Sequence, residues 1–248
     1  MRLALLGPAG NEKKALESAA RFVLEQLRVD RAVYLGVDGA LDDVVAAWAK
    51  QLVGDDPTEG GVWARAVRAC GDAPPEVIDE YLAAEQDRKA LRAFESLPDE
   101  GTRAVEMLAG ALAVMIYDKA LLDEEDMLPA RLLLFGKSRG PVVKQVGQRW
   151  FLSPGSFDEA GVMTLDDDTE GISLALYDRN LDLVRTEQLT VLRGAKLRVG
   201  GRRRDSVECQ ERFRDPVADL DDAGVAGSVP ALDGDREPSV LRRPLRTE

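Results

Sequence analysis

Four apolar residues, Leu3 to Leu6, stand in an unbroken run before Gly7-Pro8-Ala9-Gly10, which predicts a short buried strand leading into a loop. From Asn11 the spacing becomes helical: Ala15, Ala19, Phe22, Val23 and Leu27 fall near one face, with Asn11 placed to cap the first free amides. Arg31 to Leu35 returns as a second strand ending at Gly36, so the chain opens as a βαβ unit. A second helix is expected over Asp38 to Val53, where Val44, Val45, Trp48 and Leu52 recur at helical spacing. A third is expected from Pro74-Pro75 to about Leu97. Proline in the first turn sacrifices no hydrogen bond there, Glu76 and Asp79 suit the positive helix end, and the charged majority should face water.

Beyond Thr102 the period shortens to that of strands. Arg103 to Leu108, Ala111 to Tyr117, Arg131 to Phe135, Val142 to Val146, Arg149 to Leu152, Gly161 to Leu165 and Ile172 to Tyr177 each read as one. A βαβα beginning followed by a strand-rich half suits layers better than one wound sheet. Residues 1–200 are therefore expected to form one domain. The Asp-, Gly-, Ala- and Pro-rich remainder, 201–248, reads as a disordered charged tail with Arg202-Arg203-Arg204 at its start.

Composition narrows the function classes. A formal charge of -12 opposes nonspecific attraction to nucleic acid or to anionic lipid, so neither is expected as a partner. The longest apolar stretch, Met107 to Tyr117, is far below the roughly 20 residues that span a bilayer. Two cysteines, Cys70 and Cys209, give no disulfide framework, which fits a reducing cytoplasm. Most telling is the absence of histidine, the commonest neutral metal ligand and proton shuttle near neutral pH. Without it a Ser-His-acid triad at Ser138, Ser153 or Ser156 is impossible.

Two segments carry a family resemblance. The first is Arg2-Leu3-Ala4-Leu5-Leu6-Gly7-Pro8-Ala9-Gly10-Asn11. The second runs Leu133-Leu134-Phe135-Gly136-Lys137-Ser138-Arg139-Gly140-Pro141 and continues at Gly147-Gln148-Arg149-Trp150-Phe151-Leu152-Ser153-Pro154-Gly155-Ser156. In order, spacing and apolar flanks the chain resembles the calcineurin-like metallophosphoesterases, in particular their small bacterial phosphodiesterase-like branch. That resemblance spans roughly residues 1–185. It implies an α/β fold of four layers, α/β/β/α, built on two mixed sheets, and a tendency of the chain to pair with a second copy.

The metal-binding letters of that family are missing. The resemblance places Gly7 where its first aspartate stands and Ala9 at its first histidine. Val37 falls at the bridging aspartate, with Asp38 one residue on, while Lys137 and Arg139 replace the two histidines of its Gly-His-Thr-His strand end. Gly7, Ala9 and Val37 offer no side-chain lone pair, and a lysine or arginine puts positive charge where a cation would sit. At about 4 Å and an effective dielectric near 20, a unit charge repels a divalent ion by on the order of 8 kcal/mol. The leading expectation is a catalytically inactive relative, a pseudo-phosphoesterase without resident metal or cofactor, acting as a protein-interaction or regulatory module.

Two alternatives stay open. Lys137, Ser138 and Arg139, with the amides of Gly7, Gly10 and Asn11 and the neighbouring Asp38, could grip a phosphate-containing or nucleotide ligand without metal. Against this, basic residues usually face water or pair with local acids, here Asp38, Asp42 or Asp118. The second alternative is residual metal-dependent activity using shifted carboxylates, Asp38, Asp72 and Asp118. Elsewhere, Asp166-Asp167-Asp168 with Glu170 reads as a solvated turn, Cys70 as a small buried residue, and Trp48, Trp63 and Trp150 as core or subunit contacts.

Overall fold

Side-chain alternation decides which way each strand faces. In the computed structural model, which describes residues 1–54, 56–168 and 171–190, β1 (Arg2–Leu6) pairs in parallel with β2 (Arg31–Tyr34), Leu3 opposite Arg31 and Leu6 opposite Tyr34. Leu3, Leu5, Val33 and Leu35 point into one core, whereas Ala4, Leu6, Ala32 and Tyr34 point into another. Both faces of these strands are therefore covered, which is why they read as continuous apolar runs. Around them the sheet is completed by β3 (Phe94–Ser96), β9 (Val162–Asp167), β10 (Ile172–Tyr177) and β11 (Leu183–Leu189), in the order β11-β10-β9-β1-β2-β3. Pairing of β1 with β9 is antiparallel and that of β2 with β3 parallel, so the sheet is mixed.

The second sheet takes β4 (Ala104–Leu108), β5 (Ala111–Ile116), β6 (Ala130–Phe135), β7 (Val142–Val146) and β8 (Arg149–Ser153) in the order β4-β5-β6-β8-β7. A two-residue turn joins β4 to β5, with Ala109 at φ 48° and Gly110 at φ 76°. Asp167 on the first sheet accepts the Ala109 amide at 2.8 Å and so fixes a backbone shape that alanine rarely adopts. Leu132, Leu134, Trp150 and Leu152 face Leu3, Leu5, Met163 and Leu165 across the gap, and this inter-sheet core contains no carboxylate among its buried members.

Outside the first sheet lie α1 (Lys13–Glu25), α2 (Ala40–Val53), α3 (Val62–Cys70) and α4 (Pro75–Ala90). Outside the second, among the described residues, lie only the 3-10 turn Lys119–Leu121 and one turn of helix, α5 (Glu124–Met127), packed on Val114 and Leu133. The order of layers is α/β/β/α as expected, with a thin fourth layer. Its thinness leaves Val105 and Met107 on the outer face of β4, and Leu128 beside α5, at 50%, 53% and 73% exposure. No helix among the described residues is long and apolar enough to cross a membrane.

Several local expectations change. The helix from Pro75 stops at Ala90, and a 3-10 turn at Leu91–Ala93 carries the chain into β3, which pairs beside β2. Asn11 is not the cap of α1, since the helix begins at Lys13 behind Glu12 without a side-chain cap. Helix α2 starts at Ala40, because Asp38 turns its carboxylate onto the Ala40 amide at 3.1 Å. Asp166 and Asp167 belong to β9 rather than to a solvated turn. The tail expected over 201–248, with Arg202, Arg203, Arg204 and Cys209, lies outside the described residues, as does the domain boundary at 200.

Candidate functional site

The residues singled out by the resemblance converge where β1, β2 and β6 end. Leu6 carries the chain into Gly7, whose amide bonds to the Gly161 carbonyl at 2.8 Å, while Leu35 N–H donates to Leu6 O at 2.8 Å. Across the sandwich Gly136 N–H donates to the carbonyls of Ile116 and Tyr117, both at 3.1 Å, and Lys137 N–H to Tyr117 O at 2.7 Å.

What fills the space between these ends is backbone. A Cβ on Gly7 would lie 1.8 Å from the carbonyl oxygen of Gly155, and a Cβ on Gly136 would lie 2.1 Å from the carbonyl oxygen of Leu35. Neither position accepts any side chain without displacing main chain. Gly155 itself has φ +77°, and a Cβ there would stand 2.8 Å from the Gly140-Pro141 peptide. The turns after β1, β6 and β8 thus close on one another through glycine.

Tyr34, not among the expected site residues, completes the closure. Fully buried, it stacks its ring where a Cβ of Gly36 would go, 2.5 Å from ring atoms. Its hydroxyl accepts the Ala9 amide at 2.9 Å and donates to Asp38 Oδ1 at 2.8 Å. Burial pushes the phenol well above its ordinary range, so it stays protonated and keeps donating. Only the polar tip at the end of an apolar strand hinted at this role in the sequence.

Both candidate cations already have partners. Lys137 Nζ lies 2.6 Å from Asp118 Oδ2, and the ammonium also stands 5.9 Å from the Tyr117 ring centroid. That hydrogen bond lowers Asp118 below the usual carboxylate range and raises Lys137 above the usual lysine range. Arg139 turns elsewhere, 93% exposed, with Nε 3.5 Å from Glu159. Ser138 donates to the Gly140 carbonyl at 2.7 Å. Two amides of the Gly7 to Asn11 loop, those of Gly7 and Ala9, are spent inside the protein. Asp38, Asp72 and Asp118 form no common site: among the described residues, no three carboxylate or thiol side chains come together to hold a cation. Gly7, Ala9, Val37, Lys137 and Arg139 do not fit a two-cation centre, because three lack donors and two carry the wrong charge.

A different polar cluster was not foreseen. Under the loop 56–61, Arg65 on α3 and Arg88 on α4 share Glu85, with Nε to carboxylate distances of 2.7 and 2.8 Å, and all three are at most 6% exposed. Arg65 Nη1 binds the carbonyls of Asp56 and Thr58, and Arg88 reaches Glu59 at 2.7 Å. The Arg65 hydrogen bond, and behind it that of Arg88, holds the Glu85 carboxyl below its usual range. Arg65 Nη2 is the exception, buried and without a hydrogen-bond partner. An unmet buried donor costs on the order of 1–3 kcal/mol.

Burying Arg65 turns α3 inside out. Trp63 and Val67, four residues apart, are 81% and 74% exposed, so Trp63 is no core residue. Trp150 is in the inter-sheet core, and Trp48 packs edge-on to Phe94 with ring centroids 6.3 Å apart. The helical layer also holds hollows of about 540 Å³, between α1, α2 and α4, and about 350 Å³, between α2, α3 and α4.

No protein-family model matches this chain, and no curated protein does. Among solved structures it is similar to an archaeal phosphodiesterase, at 11% identity over 76% of this chain and 100% of that one, with TM-score 0.42. It is also similar to a single mutant of Vps29 from Entamoeba histolytica, at 12% identity over 77% and 100%, TM-score 0.44. A predicted phosphoesterase from Streptococcus pneumoniae is a third, at 11% over 76% and 98%, TM-score 0.42. These are likenesses of chain path, and they bring no activity, ligand or partner with them.

Proposed function

We propose that this chain is a phosphoesterase-like scaffold that does not hydrolyse phosphoesters and works through contacts with a protein partner in a reducing cytoplasm. The observation that carries the reading is the closure of Gly7, which the resemblance places at the first metal-binding aspartate, against the Gly155 carbonyl, with Gly136 held as closely against Leu35 beside the cations Lys137 and Arg139. Two-cation phosphoester chemistry needs several anionic or neutral donors converging on each ion. Here the side chains are absent or cationic, and the Lys137 charge is neutralised by Asp118.

Support for the contact role comes from apolar groups left in water: Trp63 and Val67 on α3, and Val105 and Met107 on β4. Self-association belongs to the same proposal and is read by sedimentation. The decisive assay incubates the full chain, purified without a histidine tag, with bis(4-nitrophenyl) phosphate and manganese, nickel or zinc. Turnover at the buffer rate is expected. Turnover abolished by a chelator and absent in a Gly7→Ala variant would remove the reading.

A further inference from the structure

Strand β4 is one edge of the second sheet, paired with β5 alone among the described residues. The two-residue turn makes Leu108 and Ala111 exchange both backbone bonds, and so in alternation do Glu106 with Ala113 and Ala104 with Met115. The N–H and C=O groups of Val105 and Met107 therefore point away from the sheet. The Met107 amide shows that direction independently, since it donates to Glu106 Oε1 at 3.1 Å. Other edges are blunted, β3 by its three-residue length, β7 by Lys144 and Gln145, β11 by Arg185 and Glu187. On β4 the outer side chains are Val105 and Met107, half exposed and beside Val114 and Leu112 of the small core under α5. Between them, on the inner face, Glu106 shares the Arg31 guanidinium with Glu95.

We propose that the free edge of β4 docks an extended segment of a protein partner in which apolar residues alternate with lysine or arginine. Main-chain bonds to Val105 and Met107 would fix its register, as in other strand additions. Its alternate side chains meet different surroundings. Those on the outer face lie beside Val105 and Met107, and those between lie beside Glu106, where two carboxylates face one guanidinium and leave a negative charge. Glu106 occupies the Met107 amide in the free protein, and a cation alongside compensates its release. The surround has the same sign. At the root of β4, Arg103 is matched by Asp126 and Asp123, Lys137 by Asp118, and Lys119 lies over the Phe135 ring. Asp99 and Glu100 on the turn entering β4, with Glu124 and Glu125 on α5, are exposed and in no ion pair among the described residues. A second copy would bring the same acids to the same edge, so self-association does not use it. The proposal deepens the contact half of the scaffold reading and rests on it.

The test titrates the capped peptide Lys-Val-Lys-Val-Lys-Val-Lys into the full chain, following amide shifts and hydrogen exchange by NMR. Two controls run in parallel, one with glutamate in place of lysine and one with the three valines grouped together. With the alternating basic peptide alone, saturable shifts in β4, β5 and α5 are expected, and exchange at Val105 and Met107 should slow about tenfold. Val105→Pro removes an outward donor at an edge, where proline is tolerated, and should weaken binding about tenfold. If that variant does not fold, Val105→Lys decides: it keeps the backbone, repels the peptide, and should weaken binding as much with the melting temperature unmoved. Equal binding of either control, no saturable shift, or binding unaltered in Val105→Lys would overturn the site. So would sedimentation showing a dimer of the chain that Val105→Lys abolishes. A failure here removes the β4 site and leaves the inactive scaffold standing, whereas metal-dependent turnover removes the inactive scaffold and leaves β4.

Discussion

The space between the two sheets and the layer formed by α3 and α4 are held together by opposite means. Between the sheets, leucine faces leucine, the buried residues carry no carboxylate, and the loops at one end close by bare glycine contact. In the α3–α4 layer the centre is an Arg-Glu-Arg cluster, while tryptophan and valine lie outside. Apolar burial is non-directional and survives changes of pH and salt, whereas a buried ion cluster holds only while every partner is present and charged. The first arrangement makes a frame. The second makes a layer whose integrity hangs on one carboxylate and whose outer surface is left for something else.

Removing that carboxylate is the largest expected break in the comparison. Glu85→Ala leaves two guanidinium groups buried without their shared partner, and should cost about 3–5 kcal/mol. Hydrogen exchange would show the loss in α3 and α4, with β1 and β6 following only at the global limit. Equal acceleration in all four elements would mean that the two regions are one cooperative unit.

Writing back the carboxylate of the resembling enzymes is the next largest test. Gly7→Asp must push the Gly155 carbonyl aside, and a cost of about 1–3 kcal/mol is expected from overpacking. Added manganese should not recover the melting temperature. A variant as stable as the parent, or one stabilised by the metal, would show that the strand ends open easily.

Acid gives the finest separation. Glu85 is held below the ordinary range by Arg65 and then Arg88, and Asp118 by Lys137. A depressed folded-state pKa contributes stability that is present above the unfolded value, near 4, and is lost as pH falls through the folded one. Between pH 6 and pH 3, amide protection should therefore fall first in α3 and α4, while the strands around Leu5 and Leu134 hold. Lys137 has the opposite sign: its contribution is full below the ordinary lysine range and fades only in strong base. Protection falling first in the strands would reverse the comparison.

Much of the frame was readable in the chain. Leu3 to Leu6, Arg31 to Leu35 and Ala130 to Phe135 are apolar on both faces, and only a strand covered on both sides needs that. The face of α1, Ala19 with Phe22 and Val23, packs as its spacing implied. Helix α3 was hidden because its buried residue is Arg65 and its exposed ones are Trp63 and Val67, the reverse of the usual pattern. Strand β11 was hidden because an edge strand with Arg185 and Glu187 lacks the alternation of a covered one.

At the strand ends the chain showed Gly7, Ala9 and Val37 without side-chain donors and Lys137 and Arg139 as cations. It could not show that the Gly155 carbonyl, far along the chain, would lie against Gly7, or that Tyr34 would bridge Ala9 to Asp38. Periodicity and composition are local quantities, so they determined most of the strands, most of the helices and the absence of histidine. Which carbonyl meets which glycine, and which carboxylate claims Lys137, depends on contacts between residues brought together only when the two sheets pack. Those contacts were the decision of the tertiary structure.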